Sequence, residues 1–119
     1  MSAWKKFESQ CAELIDGRRY PASSGGSVDC ESREYVLQAK LVKTLSLEGL
    51  TRLVEQAERD GRQRHKHGIV GVKCRRGRGH QSPMLVVMTA DTFAAMRQAA
   101  SPCAKSTKKA EWPMREPMA

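Results

Sequence analysis

The sequence predicts a small α/β domain in which a mixed sheet is flanked by helices. Apolar residues recur at spacings of three and four near the start, the middle and the end of the chain, as amphipathic helices require. Between those segments lie short runs that alternate with period two or are continuously apolar, as strands do. The resulting order is helix, strand, strand, helix, strand, strand, helix, the alternation of an α/β domain. At 119 residues there is room for one modest core. The domain is expected to occupy residues 1–100. Residues 101–119, rich in Pro, Lys and Ser and without periodicity, read as a disordered tail.

The first helix is expected over residues 3–16, where Trp4, Phe7, Cys11, Leu14 and Ile15 form one apolar stripe. Gly17 follows at the place of a C-cap glycine, and residues 18–27, with Pro, Ser and Gly, read as a loop. Residues 28–30 suggest a short strand and residues 34–40 a longer one. In the longer strand Tyr35, Leu37 and Ala39 share one face, and Val36, Gln38 and Lys40 the other. A second helix spans residues 47–60, capped by Ser46, with Leu47, Leu50, Leu53, Val54 and Ala57 along its apolar side. Residues 69–74 and 84–89 are the last strands, plausible as a hairpin whose connection, residues 75–83, is rich in Arg and Gly. Residues 91–100 form the last helix.

With 39% hydrophobic and 29% charged residues, the chain reads as a globular protein. No apolar run approaches the ~20 residues of a membrane helix. The lysines at the N-terminus are not followed by the apolar stretch of an export signal. A cytoplasmic protein with reduced, structural thiols at its four cysteines is therefore expected. The net charge of +8 is concentrated: residues 61–90 carry Arg62, Arg64, Lys66, Lys73, Arg75, Arg76 and Arg78 and no acid, whereas residues 1–60 are nearly balanced. Such a block favours a polyanion, because each neutralised phosphate releases counterions. Joined by Arg18 and Arg19, it is expected to grip DNA phosphates without reading base sequence. The plain alternative is a solvated surface that maintains solubility.

Hydrolysis of a phosphodiester calls for a divalent cation that polarises the phosphate and generates hydroxide, with a positive side chain beside it. Mg²⁺ or Mn²⁺ takes hard oxygen ligands, often one or two carboxylates. Asp29 precedes Gln38-Ala39-Lys40 by nine residues. Period two projects Gln38 and Lys40 from one face, where Asp29 meets them if the strands pair.

The wider string, WKKFE, AELIDGRRYPASSGG, VDC and YVLQAK, resembles the PD-(D/E)XK nuclease superfamily. It is most similar to the small Holliday-junction-resolvase-like members common in phages and archaea. The resemblance covers roughly residues 4–93. It implies the restriction-endonuclease-like fold and an Mg²⁺- or Mn²⁺-dependent endodeoxyribonuclease acting on branched DNA as a homodimer, in the host cytoplasm if phage-encoded. By position it implies Glu8 as a helix carboxylate, Asp29 as principal metal ligand and Lys40 as the catalytic cation. Ser23, Ser24 and Arg19 match positions that approach the DNA backbone. The family's second strand carboxylate is here Gln38, whose amide oxygen still coordinates Mg²⁺ but brings one charge fewer, and Ala39 lends its backbone carbonyl to the metal.

Other readings weigh against this one. Glu8 as a solvated helix residue would pair with Lys5 or Lys6, with Glu13 taking its place if the register slips. Lys40 as an edge lysine would deter aggregation. His65, His67, Cys74 and His80 lack the paired spacing of a structural zinc site. Ser23 and Ser24 have no Gly-x-Ser-x-Gly turn, and Gly25-Gly26 no following Gly-Lys-Ser/Thr, against a serine hydrolase and a phosphate-binding loop. A rival of another class is a non-catalytic nucleic-acid-binding module in which the basic connection binds and the Asp/Gln/Lys trio is a relic.

Overall fold

A computed structural model describes residues 3–20, 28–77, 79 and 81–100. The order is α1 (Ala3–Leu14), β1 (Arg18–Arg19), β2 (Cys30–Glu31), β3 (Tyr35–Val42), α2 (Leu47–Gln63), β4 (His67–Cys74), β5 (Met84–Val87) and α3 (Ala90–Ala100). The chain divides into two units, one ending at Thr89 and the other beginning at Ala90. Ser23, Ser24, Arg78, His80 and the tail expected over 101–119 lie outside the described residues.

In the first unit five strands form one sheet in the order β1-β2-β3-β4-β5. All neighbours are antiparallel except β3 and β4, which run parallel from Tyr35↔His67 to Val42↔Cys74. A parallel pair needs a long connection between its strands, and α2 supplies it. Period two then divides the core. Leu37 and Ala39 of β3, Ile69 of β4 and Cys30 of β2 pack against Phe7, Cys11, Ala12 and Ile15 of the α1 segment. Val70 and Val72 pack on the opposite face against Val54 and Ala57 of α2, with Leu50, Leu53 and Val87 at its edge. The first unit is thus a helix–sheet–helix sandwich, the mixed α/β domain that the sequence predicts.

Several boundaries differ from expectation for local reasons. Helix α1 stops at Leu14 because Asp16, not Gly17, takes the left-handed conformation, at φ 57°. Asp16 N–H donates to the Glu13 carbonyl at 3.1 Å and Gly17 N–H to the Ala12 carbonyl at 2.8 Å, the paired bonds of a Schellman end. Gly17 is needed one position later, where a β-carbon would overlap the Glu31 carbonyl. Residues 18–19, expected in a loop, form an edge strand on β2. Trp4, Leu14 and Leu47, expected on apolar stripes, are exposed. Ser46 caps α2 as expected, its Oγ accepting from Gly49 N–H at 3.0 Å. At Gly68 a β-carbon would overlap the Ala57 carbonyl, so this glycine lets α2 lie close against β4.

In the second unit, α3 carries Asp91 in its first turn and Arg97 in its last, each at the end its charge favours. No helix among the described residues is long and apolar enough to cross a membrane.

Candidate functional site

Strand β2 ends where the site begins. Cys30 and Glu31 pair with Leu37 and Val36, and Asp29 N–H still donates to the Leu37 carbonyl at 3.0 Å. One step further along β3, the Ala39 N–H meets a side chain instead of another backbone carbonyl: Asp29 Oδ2 accepts from it at 2.8 Å. The carboxylate therefore stands in for a missing rung of the ladder. This bond fixes its orientation and leaves Oδ1 for other partners.

Two groups act electrostatically on Asp29 at this gap. From α1 comes Glu8, whose side chain is only 13% exposed. Burial raises the Glu8 carboxyl above its ordinary value and the Asp29 charge raises it further, against Arg19, the Trp4 hydrogen bond and Lys5. Burial likewise raises the Asp29 carboxyl, opposed by the Ala39 N–H and the charge of Lys40 on β3. Two half-desolvated carboxylates that disfavour each other's ionisation are suited to a cation. Gln38 lies on β3 between Ala39 and Leu37, and its Oε1 is buried. Asp29 is thus linked to Glu8 of α1 and to Lys40 of β3, whereas Gln38 and Lys40 project from the face of β3 opposite Leu37 and Ala39, which pack on α1.

Among the described residues no three His, Cys, Asp or Glu side chains gather as a metal-binding group. Two carboxylates are nevertheless a sufficient protein contribution for Mg²⁺, which retains much of its water. The chemistry of Asp29 and Glu8, hard carboxylate oxygens, fits such an ion. Arg19 lies beside Glu8, its Nη1 3.8 Å from Glu8 Oε1, and the charge of Lys5 also acts on Glu8. Arg19 also donates to the Lys5 carbonyl at 3.4 Å, while Arg18 is exposed.

The basic block divides. Arg62 is exposed at the end of α2, but Arg64 and Lys66 turn inward to Glu31. Arg64 Nη1 donates to Glu31 Oε1 at 3.0 Å, and the guanidinium carbon Cζ lies 6.0 Å from the centre of the Tyr20 ring. Lys66 Nζ donates to Glu31 Oε2 and, at 2.7 Å, to the Ser32 carbonyl, and Tyr20 OH also donates to Glu31. Burial alone would raise the Glu31 carboxyl, but Lys66, Tyr20 and Arg64 together hold it below its ordinary value. Lys73, Arg75 and Arg76 lie at the far end of β4, roughly 23 Å along an eight-residue strand at about 3.3 Å per residue. Register puts that end beside the site, since Lys40 pairs with Val72 and Leu41 with Lys73.

Sequence reasoning did not foresee the Glu31 cluster, in which Lys66 bonds a residue 35 positions away. The one local signal was an acid flanking Cys30 at the strand end. Cys11 and Cys30 are buried, and burial pushes both thiols up to about 12, which keeps them protonated as core residues. Cys74 is exposed.

Fold and site together define a class: a small α/β domain with a five-stranded mixed sheet and a desolvated carboxylate pair held at the point where β2 leaves β3. Comparison with family models, with curated proteins and with solved structures gives no match for this chain.

Proposed function

We propose that the protein is a metal-dependent endonuclease that hydrolyses DNA phosphodiester bonds, with a site of the PD-(D/E)XK kind. The observation that carries this reading is Asp29, held by the Ala39 N–H at 2.8 Å, whose charge acts on Glu8 of α1 and which feels the charge of Lys40 on β3, in the chain order that the resemblance implies. Asp29 and Glu8, with the Gln38 amide and the Ala39 carbonyl, would hold Mg²⁺ or Mn²⁺, which supplies polarisation of the phosphate and a more acidic water. The remaining work falls to the chain. The Ala39 N–H keeps the Asp29 carboxylate in one orientation. Lys40 provides positive charge beside Asp29, suited to orienting the attacking water and stabilising charge on the phosphoryl oxygens. Lys73, Arg75 and Arg76, at the same end of the sheet, would hold neighbouring phosphates. Branched DNA as substrate and a homodimer as the working form extend the same resemblance, since two symmetric cuts need two sites.

The test is cleavage of four-way junction, nicked and linear DNA by the full chain, with Mg²⁺ and with EDTA. Asp29→Asn and Lys40→Ala are each expected to lower the rate at least ~100-fold while the melting curve stays cooperative, as befits several kcal/mol of lost barrier reduction. Wild-type cleavage by a folded Asp29→Asn protein would refute the assignment. Metal-independent binding with no cleavage of any substrate would favour the non-catalytic module.

A further inference from the structure

On the other side of α1 from Glu8, toward β4 and β5, the structure holds a cleft of about 490 Å³. Glu8 reaches toward Arg19 and Asp29, whereas Lys6 and Gln10 line this cleft together with Lys73, Arg75, Arg76 and Ser82. Phe7 and Leu41 supply an apolar part of its wall.

Four features of the cleft point to one ligand chemistry. Lys6, Lys73, Arg75 and Arg76 bring four positive charges, and among the described residues none of the four forms an ion pair. The first turn of α1 contains Lys5 and Lys6 and no acid, so cations crowd the positive end of the helix dipole, an arrangement that a bound anion relieves. Ser82 is part of the cleft lining, and its Oγ, buried without a hydrogen-bond partner, would gain one by rotating toward a ligand there. The volume lies within the range of small-molecule pockets, about 300–1,000 Å³, and the space is concave, so convex duplex DNA cannot fill it.

We infer that this cleft binds the phosphorylated terminus of a single DNA strand, one nucleotide with its terminal phosphate. A terminal phosphomonoester carries about −1.5 to −2 charges at neutral pH, a better match to a cleft lined by four cationic residues than the single charge of an internal phosphodiester. Leu41, partly exposed, offers apolar surface to the nucleoside, while Gln10 offers hydrogen bonds. The inference deepens the proposed function by naming a substrate feature, a phosphate-bearing strand end. It does not depend on Glu8, Asp29 or a metal.

Binding by the full chain is measured in EDTA by fluorescence anisotropy, so that cleavage plays no part. The probes are single-stranded oligonucleotides with a 5′-phosphate, a 3′-phosphate or hydroxyls at both ends, and the competitors are a deoxynucleoside monophosphate and inorganic phosphate. A strand with one of the terminal phosphates should bind about tenfold more tightly than the strand without, the scale of one or two charge-assisted hydrogen bonds. Mononucleotide should compete at lower concentration than inorganic phosphate. Lys6→Gln, an exposed change, should remove most of that preference while leaving the melting temperature unaltered. Equal affinity for all three strands would overturn the inference, as would inorganic phosphate competing as well as the mononucleotide, or a Lys6→Gln protein with its end preference intact. Separate cleavage assays with Mg²⁺ keep the two readings apart. Cleavage without end preference sinks only the cleft, and end preference without cleavage sinks only the nuclease.

Discussion

Replacing Glu31 with glutamine removes the one charge that holds Arg64, Lys66 and Tyr20 together. The Glu31 side chain is 14% exposed, Lys66 21% and Arg64 35%. A well-desolvated charge-assisted bond such as that of Lys66 contributes about 1.5–3 kcal/mol. Arg64 is exposed enough to rehydrate and counts near the surface value of about 0–1 kcal/mol. Lys66 retains the Ser32 carbonyl and glutamine can still accept from Tyr20, so a net loss of about 2–3 kcal/mol is expected. For a domain of this size that lowers Tm by roughly 10–20 °C at pH 7. The pH dependence has a definite sign. Because the folded Glu31 carboxyl lies below its ordinary value of 4.5, its contribution is fully present above that pH and disappears as the pH falls through the folded value. Melting curves of both proteins followed by circular dichroism from pH 3 to 7 should converge at the acid end. A difference under about 2 °C at pH 7, or one that widens toward pH 3, would refute the reasoning. The same substitution releases two cations, so the salt dependence of DNA binding should steepen by up to ~0.9 for each further phosphate they neutralise.

Other outcomes follow from the site and the packing. If Gln38 is a metal ligand, Gln38→Glu adds a carboxylate to the site and should tighten Mg²⁺ binding measured by calorimetry; unchanged affinity in a stable variant would remove Gln38 from the metal's ligands. Since burial raises the carboxyls of Glu8 and Asp29, and the Asp29 charge raises Glu8 further, their deprotonation in the folded protein costs stability as pH rises, and Mg²⁺ should offset that cost. The Mg²⁺-induced rise in Tm should therefore be larger at pH 8 than at pH 5, and a rise independent of pH would count against this pair as the cation site. Gly68→Ala should cost about 1–3 kcal/mol by forcing α2 away from β4, read as a lower midpoint in urea, and a neutral effect would contradict the close approach at Ala57.

Much of the architecture is legible in local pattern. Alternation along residues 34–40 separates the α1-facing Leu37 and Ala39 from Val36, Gln38 and Lys40, because successive side chains of any strand point to opposite faces. Ser46 and the stripe of Leu50, Val54 and Ala57 define α2, since both depend on contacts within one or two helical turns. Asp29 and Lys40 could be associated for the same reason: a strand, a short turn and a second strand leave few ways to arrange them.

Tertiary structure decided the rest. That position 17 is a glycine depends on the Glu31 carbonyl across the turn, which leaves no room there for a β-carbon. Whether the basic block forms one strip depends on Glu31, which captures Arg64 and Lys66 and leaves Lys73, Arg75 and Arg76 at the far end of β4 beside Lys6. That Asp29 holds the Ala39 N–H, rather than facing solvent, depends on the ladder ending one rung early. The sequence determined the period of each segment and the sum of its charges, because those are properties of neighbours along the chain. Only the fold determined which charges meet, because Coulombic attraction and burial act through space and join residues as far apart as Glu31 and Lys66.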